Sequence, residues 1–276
     1  GADTAFSQMA AEAIGIRVED VHIVSCQDTD VTPFGTGAYA SRQTYVGGFS
    51  IAKTAGLLKK KILDYAYILT NMPPEITDIK NGMIVRTTDN MELISLKDLA
   101  TEALYSTSDS RHITAEATAQ IKSNAYSFGC CFAEVEVDID MCKAKLVKII
   151  NVHDCGKLIN PALAKAQVEG GMSMGIGYAL SEIQLVDEKT GKVLNDNFLD
   201  YKLSTAMDHP HLETAFVENP EPTSPFGTKS LGEPPVCPVA PAIRNAVMQA
   251  TGVGVNEIPL RPAKLFEYFD KAGLLK

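Results

Sequence analysis

Glu233 stands within PFGTKSLGEPPVCPVAP, residues 225–241, flanked by Gly232 on one side and Pro234 and Pro235 on the other. A carboxylate held in place can take a proton from a reacting group. Proline fixes φ at about −65°, and glycine opens angles closed to other residues, so this frame keeps one position and admits a close ligand. Lys229 lies four residues upstream. A plainer reading stays open, in which the stretch only connects to the helical run AIRNAVMQATG and Glu233 is a first-turn acid beside the helix dipole.

A second group is Ser41-Arg42-Gln43-Thr44, where the Gly-, Asp- and Thr-rich loop 27–41 meets a predicted helix over 42–69. Amides at a helix start together with a guanidinium suit an anionic group such as a pyrophosphate. Arg42 as an ordinary surface arginine is the alternative. Third, the helix opened by Asn160-Pro161 carries Gly170, Gly171, Gly175 and Gly177. Each costs about 1 kcal/mol relative to alanine inside a helix, so close packing against another backbone or a ligand is the natural explanation.

Other chemistries find no footing. The glycines of 170–177 do not spell G-x-G-x-x-G and sit in a helix, not after a strand, so a nicotinamide site is disfavoured. Lys229-Ser230 lacks the glycine spacing of a phosphate loop, and no G-x-S-x-G occurs. The six cysteines contain no CxxC, and His209 and His211 form the only histidine cluster, so no zinc or iron–sulfur site is expected on this chain. Cys130 and Cys131 adjoin in an apolar run and read as buried thiols in a reducing cytoplasm. A net charge of −9 without a basic run argues against nucleic acid and anionic membranes. The apolar stretches fall short of the roughly 18 residues of a membrane span.

These residues need a frame. At 276 residues, 45% hydrophobic and 21% charged, the chain can hold one large domain or two lobes. Helical spacing marks 4–15, alternation marks a buried strand over 18–26, and Asn81-Gly82 marks a type I′ hairpin. A strand MELIS precedes a helix capped by Ser95 and Asp98. Strands over 127–140 and 144–156 form a sheet whose wet face carries Glu134, Glu136, Asp138 and Asp140. A strand–turn–strand over 181–196, a strand over 212–220 and helices over 239–251 and 262–273 complete the order. Without a regular βαβ rhythm the fold class is α+β, with a weakly marked lobe division near 70–110.

Five ordered motifs resemble the C-terminal half of the molybdenum-binding subunit of the xanthine oxidase family of molybdenum hydroxylases. GADTAFSQMAAEAIGI, GTGAYASRQTYVGG (35–48), INPALAKAQVEGGMSMGIGYALSE (159–182), DYKLSTAMD (200–208) and PFGTKSLGEPPVCPVAPAIRNAV (225–247) carry it. The resemblance spans the whole chain and is closest in pattern to bacterial xanthine dehydrogenases and nicotinate or purine hydroxylases. It implies an α+β fold of two mixed lobes across 1–276, with Glu233 as general base. Gln167, Ala38, Tyr39, Ala40, Ser41, Arg42, Gln43, Thr44 and Gly232 are implied to bind molybdopterin, in the cytosine dinucleotide form. The family's molybdenum is held by the pterin dithiolene, so no side chain is expected to ligate metal. The implied reaction hydroxylates an electron-poor C–H of a purine, N-heteroaromatic or aldehyde, with oxygen from water. Electrons are expected to leave through iron–sulfur clusters and FAD on partner chains or domains, making a cytoplasmic hetero-oligomer. Gly1 matches the last residue of a Gly-Gln-Gly motif, and the family's upstream phenylalanine loop and substrate-gripping Arg/Glu positions have no match. A fragment or processed subunit, inactive by itself, is therefore expected. Tyr39 departs from the small residue that many purine-oxidising members have there. The rival expectation is a non-catalytic fragment or assembly module that binds partner subunits without cofactor.

Overall fold

A computed structural model describes residues 1–275 except Gln27, Val31, Pro33, Thr36 and Lys122. Thr36 of the 35–48 motif, and Gln27, Val31 and Pro33 of the loop before it, therefore lie outside the described residues. The chain forms two compact units, Gly1–Ala125 with Pro220–Thr228, and Tyr126–Asn219 with Lys229–Lys276. The 70–110 window holds the whole of one small three-stranded sheet and the helix that follows it, within the first unit. No helix among the described residues is long and apolar enough to cross a membrane.

In the first unit, helices α1 (Ala2–Ile14) and α2 (Gln43–Thr70) precede strands β1 (Thr77–Lys80), β2 (Met83–Arg86) and β3 (Glu92–Ser95), then α3 (Leu96–Tyr105). The sheet is antiparallel in the order β1-β2-β3. Asn81 and Gly82 both take positive φ, 48° and 80°, as the expected type I′ turn requires. Ser95 Oγ accepts the Asp98 amide at 3.0 Å, so the capping motif forms with Asp in the usual Glu place. Ile62, Leu63 and Ala66 of α2, Ile79, Ile84 and Leu99 make the core.

Gly15 ends α1 at φ +97°, and a Cβ there would stand 2.0 Å from the Ile79 carbonyl oxygen. Both the left-handed angle and the backbone collision oppose a side chain. Gly15→Ala is expected to destabilise this unit by roughly 3 kcal/mol in chemical denaturation. A change under about 0.5 kcal/mol would contradict that packing.

In the second unit, β4 (Phe128–Asp138) and β5 (Lys143–Asp154) are antiparallel, and β6 (Leu212–Phe216) lies parallel to β5, giving the order β4-β5-β6. Helices α4 (Pro161–Leu180), α5 (Val239–Thr251) and α6 (Pro262–Lys271) complete it. Leu146, Ile149, Met172, Ile176, Ile243 and Phe269 are among the apolar side chains of one core. Glu134, Glu136, Asp138 and Asp140 are all exposed, as the alternation implied. Asn160 caps α4 through the Leu163 amide at 3.1 Å, with Pro161 at the first helical position.

Three expectations fail. Residues 18–26 form no strand: Val18–Asp20 is a 3-10 turn, and Ile23 and Val24 are exposed. Alternation alone did not supply a pairing partner, and no described strand pairs with this segment. The strand–turn–strand over 181–196 shrinks to a single bridge, Val186 with Val193, around the Asp187–Gly191 turn. Cys130 is exposed and Cys131 only partly buried, because adjacent strand residues face opposite ways. Burial, with Cys130 beside it, still pushes the Cys131 thiol up to about 12.

Candidate active site

The Glu233 turn in the second unit is fixed at both ends. The Val236 amide donates to the Glu233 carbonyl at 3.1 Å, and the Cys237 amide to the Pro234 carbonyl at 3.3 Å. Helix α5 starts only at Val239, after the N-cap Pro238. Glu233 is thus outside the first helical turn, and the plain dipole reading of it fails. Upstream, the Lys229 amide donates to the Cys155 carbonyl at 2.7 Å, and Ser127 Oγ donates to the Ser230 carbonyl. Glu233 itself and Gly232 are exposed at the tip of this braced turn.

Lys229 is not a free cation. Its Nζ lies 2.6 Å from Asp154 Oδ2, with side chains only 4% and 11% exposed. It also stands 5.6 Å from the centroid of the Phe128 ring. Burial opposes ionisation of Asp154, but Lys229, the Gly156 amide and Asn219 outweigh it and hold the carboxyl below its ordinary value. Sequence reading missed Asp154, whose role depends on a contact across 75 residues.

The glycine helix meets the same turn. A Cβ on Gly171 would come within 2.6 Å of Pro235 Cβ and 3.0 Å of the Pro235 carbonyl carbon. A Cβ on Gly175 would meet Val239 at 2.5 Å. These two glycines therefore answer to close packing, as expected, while Gly170 faces open space. Gln167 lies one turn before Gly171, on the same helical face, and is exposed. The fold thus brings Glu233, Gly232 and the Gln167 helix together.

Ala38, Tyr39, Ala40, Ser41, Arg42, Gln43 and Thr44 belong to the first unit, at the start of α2. Tyr39–Ser41 is a 3-10 turn in which Ala40 and Ser41 take φ of 54° and 55°. Such angles cost non-glycine residues about 1–2 kcal/mol each and cluster at ligand clamps. Arg42 is the N-cap residue of α2, which has no side-chain cap. Its guanidinium donates to the Tyr39 hydroxyl at 3.1 Å and lies 5.2 Å from that ring's centroid. Tyr39 thus holds the guanidinium of the residue from which α2 starts, and an α-helix start leaves its first amides without intrahelical acceptors.

The profile of the molybdopterin cofactor-binding domain family matches residues 1–210. The chain belongs to that family. The xanthine dehydrogenase molybdenum-binding subunit of Escherichia coli O157:H7 is 50% identical over 276 residues, all of this chain and 37% of that protein. The 6-hydroxypseudooxynicotine dehydrogenase complex subunit gamma of Paenarthrobacter nicotinovorans is 28% identical over 96% of this chain and 34% of that one. The solved quinoline 2-oxidoreductase of Pseudomonas putida 86 superposes with a TM-score of 0.90 at 26% identity, covering 98% of this chain and 35% of that one. The chain spans little more than a third of the length of these relatives.

The residues suit a molybdopterin. Ser41, Thr44 and the Arg42 guanidinium at the α2 start offer donors for a phosphate, and the Gln167 amide can both donate to and accept from a pterin ring. Two successive strained residues at Ala40 and Ser41 are the expected mark of a loop shaped by a ligand.

Proposed function

We propose that this chain is the cofactor-binding and base-bearing part of a molybdenum hydroxylase acting on a purine, N-heteroaromatic or aldehyde C–H. The observation that carries this reading is the braced turn that presents an exposed Glu233 next to the Gln167 helix, in a chain of the molybdopterin-binding family. When bound, the cofactor supplies a redox centre that accepts two electrons from the substrate C–H bond. Arg42, Ser41 and Thr44 hold the phosphate end, in a cytosine dinucleotide form, and Gln167 and Gly232 contact the pterin side. A Glu233 carboxylate oxygen takes the proton from the water-derived hydroxyl that becomes the product oxygen. Its fixed turn keeps that oxygen at one place, which a base needs in order to act on a bound reactant.

The remainder of the subunit, and iron–sulfur and FAD partners that take the electrons onward, complete the cytoplasmic hetero-oligomer in this reading. Metal and pterin analysis of the complex purified from its source tests it. Stoichiometric molybdenum and pterin with cytosine nucleotide released on hydrolysis are expected. An intact complex devoid of both would favour an assembly module and overturn the reading.

A further inference from the structure

One face of β5 changes character along its length. Ile149 sits in the apolar core, and Asn151 and His153 follow on the same face, 0% and 1% exposed. Asn151 Nδ2 donates to the Pro235 carbonyl at 2.9 Å. Its Oδ1 is then the acceptor for His153 Nε2, 2.9 Å away, so the Nε2 nitrogen carries the proton of a neutral imidazole. Burial lowers the His153 pKa, in keeping with that neutral state. The ring occupies space that only a glycine leaves: a Cβ on Gly129 of β4 would lie 2.4 Å from His153 Cε1.

Pro235 is two residues beyond Glu233, and Gly171 of α4 closes on it from another side. Its carbonyl is therefore tied to the central strand of the sheet, the element least able to move. The pair meets the loop through one bond, from Asn151 Nδ2 to the Pro235 carbonyl, and any loop arrangement that breaks it buries an unpaired amide, so the bond favours one arrangement of that loop.

We infer that His153 and Asn151 are positioning residues for Glu233, acting through the Pro235 carbonyl and not on substrate. This rests on Glu233 being the base. The base's placement matters steeply, since a 1 Å displacement costs on the order of 10²-fold in rate.

The test uses the complete complex carrying Asn151→Leu, read by hydrogen exchange of peptides covering 231–238 and by steady-state kinetics. The Val236 and Cys237 amides are expected to exchange at least about tenfold faster, with peptides of β1–β3 unchanged. The kcat is expected to fall roughly 10- to 100-fold with KM within about twofold. Gly171→Ala pushes the same turn from the other side, leaves the buried pair intact and should give the same two readings. Unchanged exchange over 231–238, or unchanged kcat, in both variants overturns the inference. If Glu233→Gln abolishes turnover while both variants stay tight and active, the positioning role alone is wrong. If Glu233→Gln keeps full turnover, the base assignment fails and the inference with it, even where exchange is faster.

Discussion

Glu233→Gln in the assembled complex is expected to lower kcat by about 10²–10⁴-fold, the range that a positioned general base supplies. Glutamine keeps the size and the hydrogen-bonding reach of the side chain but cannot take up a proton. The turn should survive, because the bonds from the Val236 and Cys237 amides to the Glu233 and Pro234 carbonyls are backbone bonds that the substitution leaves in place. Molybdenum and pterin content should therefore match the wild type, since Arg42 and the Gln167 helix are untouched. A fall in both cofactor content and rate would point instead to a structural part for this side chain.

Lys229→Met is expected to be the most destabilising substitution in the second unit. It leaves Asp154 buried without its cation, a situation that costs about 3–5 kcal/mol. The methionine stem retains most of the packing against Phe128, so the loss reports on charge. Adding Asp154→Asn should restore a large part of the stability, as measured by urea denaturation. The pH dependence has a definite sign. The native Asp154 pKa is lowered, so the pair contributes fully above the ordinary carboxyl value of about 3.9 and loses its contribution as pH falls through the lower native value. In the double variant this acid-side loss should flatten. A Lys229→Met protein as stable as the wild type would contradict a buried ion pair here.

Local chemistry made much of the frame legible. Asn81-Gly82, the Ser95 cap, Asn160-Pro161 and the long α2 each follow from residues close in sequence, and each stands where expected. What failed depended on distant partners. The alternation of 18–26 had no described strand to pair with, and no single cut marks the two units because residues 220–228 return to the first. The same holds at the candidate site. Glu233 drew notice through the stiffness of its own neighbours, Gly232, Pro234 and Pro235. The residues that brace it did not, since Asp154 reaches Lys229 across 75 residues and Asn151 reaches Pro235 across 84. In INVHDCG the one available hint was polar Asn151 and His153 at alternate positions, on the strand face that also carries apolar Ile149. Cross-chain contacts of this kind leave no period to read.

Steady-state rates mix the chemical step with electron transfer to partners, so the sharpest measurement separates them. The complete complex, wild type and Glu233→Gln, can be mixed anaerobically with a substrate chosen from purines, N-heteroaromatics and aldehydes that the wild type turns over. The absorbance of its redox centres then reports reduction in a single turnover. Reduction slowed by about 10²–10⁴-fold at saturating substrate, with molybdenum content unchanged, is expected if Glu233 takes the proton. Reduction at the wild-type rate in the glutamine variant would contradict it.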